Sequence, residues 1–449
     1  MSTGDPKKDF ARQGTWMVIT TFLSGVCMLA VHVFAPILGE KEYGLFGVLL
    51  AMVSLMAIPG LGLQSVFAQQ TAAAISSDAK ERLIVAVKTL LTWTFFLWFA
   101  WALFVFIFQK KFSEGLSITK PMALWMTILI GLTQLWGPIL TGILQGQQKF
   151  WWMGWVAIAN GLGRFVAVAV IVLLFQGRAT GAITGTFLGI SIGVLIAAIP
   201  SRSVWLRVKP KFDFDWKNWL GRIIPLTLGL GAGQFILSAD MIFVRAVFGQ
   251  DLTGIYSASG MFGRGLVAFA APLTMVMFPK IVHNISHGKK TNVLGYTLLA
   301  TAAMCGLAAA GCTVAAICLK HFATNPELLK PYLSAMRFEW FTNRTTDVLL
   351  LAKLIPWFVW CMLPLGLANV LLNNLMARKQ FRVVPYLLLV IAGYFTTLTL
   401  LGTSFVGVIQ ILGLFNLLFL AVIAAFTWGG KTKEIVAAIE TPNLQERNS

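Results

Sequence analysis

The sequence predicts an all-α integral membrane protein of about twelve transmembrane helices, built as two six-helix halves. Three observations carry that prediction. Of 449 residues, 57% are hydrophobic and only 12% are charged, about half the charged share of a soluble domain. The apolar runs are continuous over about 20 residues, enough to cross bilayer hydrocarbon as a helix. They lack the short alternating pattern of a transmembrane barrel. Finally, a stretch near the start of the chain recurs in altered form near its middle.

Twelve apolar segments follow in order: 14–38, 43–70, 84–108, 121–146, 151–175, 179–199, 219–248, 252–279, 293–319, 347–376, 383–401 and 404–428. The first follows a basic opening, "MSTGDPKKDFARQG". Its apolar run is too long for a signal-peptide core and has no small-residue cleavage site, so it reads as retained. The second holds "PGLGLQSVFAQQ", in which Pro59, Gly60 and Gly62 loosen a helix beside several glutamines. Most connections are short. Two are longer and amphipathic: "RVKPKFDFDWKNWLGR" before the seventh segment, and "NPELLKPYLSAMRFEWFTNRTTD" before the tenth. Mixed Trp, Phe and basic residues suit a helix lying in the membrane interface; the second stretch suits a solvated linker equally well.

The repeat sets the organisation. "ILGEKEYGLFGVLLAMVSLMAIPG" from Ile37 compares with "VFGQDLTGIYSASGMFGRGLVAFA" from Val247. At one constant offset Gly39 matches Gly249, Gly44 matches Gly254, Leu45 matches Ile255 and Phe46 matches Tyr256. A second pair, "LQGQQKF" ending at Phe150 and "LMARKQF" ending at Phe381, has a larger offset, as an insertion before the tenth segment requires. The halves are therefore expected to divide as an N-lobe, residues 1–210, and a C-lobe, residues 211–449. Six spans per half is an even number, so both halves keep one orientation about an axis along the membrane normal.

The net charge of +18 does not form a soluble patch, and nucleic acid is not an expected partner. Basic residues cluster at the ends of apolar runs, where they orient helices. With both termini in the cytoplasm, roughly two-thirds of the 35 Lys and Arg residues fall on the cytoplasmic side, as the positive-inside rule requires. The five cysteines all sit in apolar segments without CxxC spacing and read as small hydrophobes.

Ions inside apolar runs are the candidates for chemistry. Asp240 lies nine residues before Gly249, hence roughly 13 Å deep; Arg264 lies ten residues after Gly254, roughly 15 Å from the same face. Arg164 reaches a similar level from the opposite end of the fifth segment. Each would cost roughly 2.5–3.5 kcal/mol facing lipid, so a water-filled or protein-lined interior is implied. Arg164 and Arg264, each preceded by a glycine, are candidates to face an anion, or to pair structurally. Asp240 needs a partner or a proton: it either couples to an ion or holds its helix to a neighbour. Arg245 lies shallower, where a guanidinium can snorkel, and it is too far around the helix to pair with Asp240. Gln64, Gln134, Gln234, Ser238 and Tyr256 are candidates for a polar cavity lining, and His32 reads as a satisfied polar residue. "GLGLGAG" from Gly229 lies within a span and so is no dinucleotide fingerprint. No metal site, P-loop or catalytic carboxylate pair is expected. "NRT" at Asn343 is a glycosylation sequon only in a eukaryotic source.

The stretch "ADMIFVRAVFGQDLTGIYSASGMFGRGLVAFAAPLTMVMFPKI" resembles the centre of bacterial polysaccharide (O-antigen type) flippases, within the multidrug/oligosaccharidyl-lipid/polysaccharide export superfamily. "GILQGQQKF" and "NLMARKQF" resemble that family's loops after spans 4 and 10. The match carries over to Asp240, Gly254, Tyr256 and the Gln148-Lys149-Phe150 loop; Arg164 and Arg264 are assigned by depth and charge alone. The resemblance implies a V-shaped fold with a central cavity, moving lipid-linked oligosaccharide outward across the bacterial inner membrane by alternating access. Cationic cavity residues would meet the lipid pyrophosphate. No cofactor is implied beyond a coupling ion, proton or sodium. Partners would be the glycan lipid, membrane lipids, and neighbouring glycan polymerase and glycosyltransferases. The insertion between Lys320 and Lys353 is longer than the family pattern. Two other readings compete: a multidrug-type cation antiporter, which would favour an acidic cavity, and a glycopolymer polymerase or ligase, which would need a large catalytic loop. The second and third segments are joined by "ISSDAKERL", without the pattern of a major-facilitator transporter.

Overall fold

The computed structural model describes residues 6–118, 120–205, 213–249, 253–268, 293–325, 345–378 and 380–440. Among them every regular element is a helix, and eleven helices are long and apolar enough to cross a membrane. The N-lobe holds α1 (Thr15–Leu38), α2 (Glu40–Ala73), α3 (Ser77–Ile107), α4 (Pro121–Gly146), α5 (Phe150–Phe175) and α6 (Arg178–Trp205). The C-lobe holds α7 (Trp216–Phe248), α8 (253–268), α9 (Leu294–Thr324), α10 (Thr346–Met376), α11 (Phe381–Leu401) and α12 (Phe405–Gly429). The remainder of the predicted eighth segment, with "PLTMVMFP", lies outside the described residues. So do the proposed lobe boundary at 210 and most of the insertion before α10, Asn343 included.

Helix direction alternates, so the start of α1 and the end of α12 lie at one end of the bundle; the opposite end is called distal here. Within the N-lobe α4 packs on α2 and α6, and α5 on α1 and α6; within the C-lobe α10 is central, packed on α9 and α12. The two lobes form a V-shaped fold. Their shared surface centres on α7 and α8 against α2. Ile58 fills the space left by Gly231, and Phe67 lies 5.0 Å, centroid to centroid, from Trp219.

The expected interfacial helix before α7 is not a separate element over its second half. Trp216 already begins α7, which Asp215 caps by accepting a 3.1 Å hydrogen bond from the Asn218 backbone N–H. Nothing between Trp216 and Ile223 breaks a helix, and Asp at the cap satisfies one orphan donor. Other spans are interrupted where the sequence demands it. A 3-10 turn, Val31–Phe34, precedes Pro36 in α1, and α2 breaks at Ala57, two residues before Pro59. In α5 a π-helical turn, Ala159–Gly163, ends directly before Arg164. All five cysteines are unbridged.

The repeat is physically real. Among the described residues two glycines have positive φ, Gly39 and Gly249, both at +77° with extended ψ. That region is open essentially to glycine alone. The second matched pair shares a turn as well. Lys149 N–H donates to Leu144 O at 2.9 Å, and Gln380 N–H donates to Leu375 O at 3.0 Å. Both bonds close the same helix end at the same offset.

The axis can be located. Residues related by a two-fold axis touch their own counterparts only beside it. Gly44 and Gly254 do so: a Cβ on Gly44 would lie 2.8 Å from the Gly254 nitrogen. One turn deeper, Gly47 meets Ser257, its counterpart at the same offset. The pseudo-two-fold thus passes between α2 and α8.

Candidate functional site

The distal turn at Gly249 explains the central constellation. It sends α7 and α8 back along each other, so residues at equal distance from the turn stand at equal depth. Asp240 of α7 is wholly buried. Arg264 Nη2 of α8 donates to both its carboxylate oxygens, at 2.9 Å to Oδ1 and 2.7 Å to Oδ2. Arg264 Nε donates to Leu237 O at 3.1 Å, and the guanidinium carbon stands 5.8 Å from the Phe358 ring centre. Tyr256 Oη donates to Asp240 Oδ2 at 2.8 Å, and its ring packs against Phe358 and Phe405. Charge-assisted bonds of this kind are among the strong ones. They neutralise the carboxylate inside apolar surroundings, where an isolated charge is untenable. Arg264 nevertheless keeps 24% of its side chain exposed.

Arg164 is held differently. It is 9% exposed, and its Nη2 donates to Asn160 Oδ1 at 3.1 Å. Its Nε is buried with no hydrogen-bond partner, and among the described residues no carboxylate pairs with it. The π turn beneath it displaces the chain by one residue and re-aims the side chain; such turns recur at functional sites. Opposite, α6 approaches so closely at Gly189 that a Cβ there would strike the Arg164 backbone.

His32, in the 3-10 turn of α1, lies where the two arginine-bearing helices come together. Its Nδ1 lies 2.7 Å from Tyr43 Oη. Residues on either side of it touch both of those helices: Phe34 stacks on Phe165 at 5.7 Å, and Leu29 would lie 3.5 Å from a Cβ on Gly265. The helices carrying Arg164 and Arg264, one from each lobe, therefore meet the same stretch of α1. Arg164 and Arg264 are therefore turned into the protein rather than toward lipid.

The remaining candidates divide. Gln64 Nε2 donates to Gln145 Oε1 at 3.4 Å, linking α2 to α4. Gln134 belongs to the kink at Pro138, whose missing N–H leaves the Gln134 carbonyl free to meet α2 at Gly60. Gln234 Nε2 donates to Ser238 Oγ at 3.3 Å on one face of α7. Tyr256 and Ser238 are both buried, and the hydroxyl of Tyr256 is spent on Asp240.

Arg245 corrects an expectation. It does not snorkel: it is 2% exposed, and it donates from Nε to Leu116 O at 3.0 Å and from Nη2 to Ser117 O at 3.3 Å. Those carbonyls belong to the N-lobe turn between α3 and α4, so Arg245 spans the two lobes at the distal end. Tyr394 carried no signal along the chain. This buried residue has a hydroxyl without a partner among the described residues. Asn160 was also passed over, although it stands four residues before Arg164 on one helix, the spacing of facing side chains.

Fold and site together define a multi-pass membrane protein of two pseudo-symmetric lobes with ionised side chains enclosed at mid-depth. The profile of the polysaccharide biosynthesis protein family matches residues 10–284, and the chain belongs to that family. A curated relative, an uncharacterized membrane protein of Methanocaldococcus jannaschii, is 26% identical over 157 residues, 31% of this chain; the match spans 36% of that protein's length. Among solved structures the fold is similar to a multidrug resistance MATE family transporter of the MOP superfamily in its inward-facing conformation. The TM-score is 0.58 at 15% identity, covering 95% of this chain and 96% of that one. The outward-facing conformation gives 0.52 at 16% identity, and a MATE structure in a straight conformation gives 0.58 at 16%, each covering 98% of both chains.

Proposed function

We propose that the protein is a flippase that exports a lipid-linked oligosaccharide of the polyprenyl-pyrophosphate class by alternating access. The observation that carries this reading is one enclosed arginine in each lobe: Arg264 bonded to the buried Asp240, and Arg164 buried with its Nε unbonded. The buried interior there holds Arg164, Arg264 and Asp240, a net positive set suited to a pyrophosphate. Arg264 supplies a partly exposed guanidinium, oriented by Asp240; Arg164 supplies a buried N–H without a partner. Membership of the polysaccharide biosynthesis family supports a glycan cargo. An organic cation is disfavoured, since the one carboxylate at this depth is already paired to Arg264. The likeness to MATE transporters still makes a cationic dye the proper control.

The lobes rock about the α2–α8 axis, with the Asp240–Arg264 pair exchanging partners as substrate phosphate enters. Orientation follows the positive-inside rule, with termini in the cytoplasm and substrate leaving at the distal face. Proteoliposomes loaded with labelled lipid-linked sugar test the proposal. Arg164→Ala and Arg264→Ala, purified as folded protein, are expected to lose translocation; normal transport by both defeats the assignment. Asp240→Asn is expected to flatten the response to an imposed proton or sodium gradient, and an unchanged response removes Asp240 from coupling.

A further inference from the structure

We propose that the cleft between the distal ends of α9 and α10 binds the phosphate headgroup of an anionic membrane phospholipid. The cleft has a volume of about 760 Å³ and is lined by Lys320 and Thr324 of α9 and by Lys353, Pro356, Trp357 and Trp360 of α10. Clefts of 300–1,000 Å³ hold organic molecules of moderate size, here enough for a phosphoglycerol and the first acyl carbons.

Depth argues for a lipid. The helix Thr345–Ala377 has 33 residues, about 50 Å at 1.5 Å per residue, whereas bilayer hydrocarbon is about 30 Å thick. It overshoots by about 20 Å, or about 10 Å at each end if shared evenly. Lys353 stands about 12 Å from its distal start, and Lys320 about 6 Å from the distal end of α9. Both ammonium groups therefore lie where headgroup phosphates lie. Lys353, Trp357 and Trp360 share one face of α10, so the aromatic rings sit below the charge, at the level of acyl chains.

Charge argues for an anion. Among the described residues neither lysine is paired with a carboxylate. Trp360 Nε1 donates to Thr313 Oγ1 at 3.1 Å, which holds its ring as a fixed wall between the helices. Snorkelling lysines and belt tryptophans also decorate convex helix faces. Here they converge on a concavity between two helices, the arrangement that captures anionic headgroups. The site lies apart from Arg164 and Arg264, so it stands or falls independently of the export reading.

Native mass spectrometry of the full-length detergent-solubilised protein, titrated with phosphatidylglycerol or phosphatidylcholine, tests it. The expected result is one tight phosphatidylglycerol binding event that phosphatidylcholine does not reproduce. Lys320→Gln with Lys353→Gln should weaken that event about 30-fold, about fivefold per lysine, and each single variant about fivefold. Lys320→Arg with Lys353→Arg should retain it; this variant and the singles keep the test decisive if the double glutamine variant does not fold. Equal retention of the two lipids, or full retention by the glutamine variants, overturns the proposal. Displacement by excess inorganic phosphate would overturn it in favour of a soluble anion. Preference for a polyprenyl phosphate over phosphatidylglycerol would overturn it in favour of the exported substrate.

Discussion

Arg264 Nη2 lies within 2.9 Å of both carboxylate oxygens of Asp240, so the C-lobe brings its mid-depth cation already matched to an acid. Among the described residues Arg164, in the N-lobe, has only an amide oxygen as a hydrogen-bond partner. The two arginines therefore differ in what their removal leaves behind.

Removing Arg264 strands a wholly buried carboxylate with Tyr256 as its remaining donor. Arg264→Ala is expected to lower stability by about 3–5 kcal/mol, the usual result of breaking a buried pair from one side. Asp240→Asn combined with Arg264→Ala should lose much less than the sum of the single changes. Thermal unfolding of the four species in one detergent measures the coupling, and additive losses would mean the pair does not interact.

Removing Arg164 strands no acid and relieves a buried charge. Arg164→Met is expected to hold or raise the unfolding midpoint while abolishing translocation, because an apolar side chain of similar length avoids the desolvation penalty. A loss above about 3 kcal/mol, of the size seen for broken buried pairs, would identify Arg164 as a structural element instead.

Gly39 and Gly249 offer a test of the repeat free of packing effects. A Cβ at either position meets nothing within 4 Å, yet both have φ of +77°. Gly39→Ala and Gly249→Ala are each expected to cost about 1–3 kcal/mol through backbone strain alone. Asparagine should not rescue them, since the extended ψ lies outside the left-handed helical region it tolerates. Unequal unfolding shifts would argue against equivalent turns.

Arg245 should restrain the lobes at the distal end. Arg245→Gln loses the reach to Leu116 O and Ser117 O, and the distal faces should separate more often. Spin labels at Lys111 and Thr403, both exposed, placed in a variant with the five cysteines replaced, would report a broader, longer distance distribution by electron paramagnetic resonance. An unchanged distribution would reduce Arg245 to local packing.

Much of this molecule is decided along the chain. Hydrocarbon thickness dictates the length of an apolar run, prolines interrupt helices wherever they stand, and a positive-φ turn admits glycine almost alone. Helix count, span order and the Gly39–Gly249 correspondence were therefore readable in one dimension, as was the common depth of Asp240 and Arg264. Helical periodicity alone could not say which side chains meet across helices. It left Asp240 with an open choice between proton and partner, placed Arg245 at the lipid, and passed over Tyr394 altogether. Those outcomes depend on how α7 and α8 rotate against each other and how closely glycines let α2 approach. Interhelical packing in an apolar medium is governed by contact shape and by the need to satisfy each buried polar atom, and neither is encoded by spacing on one helix.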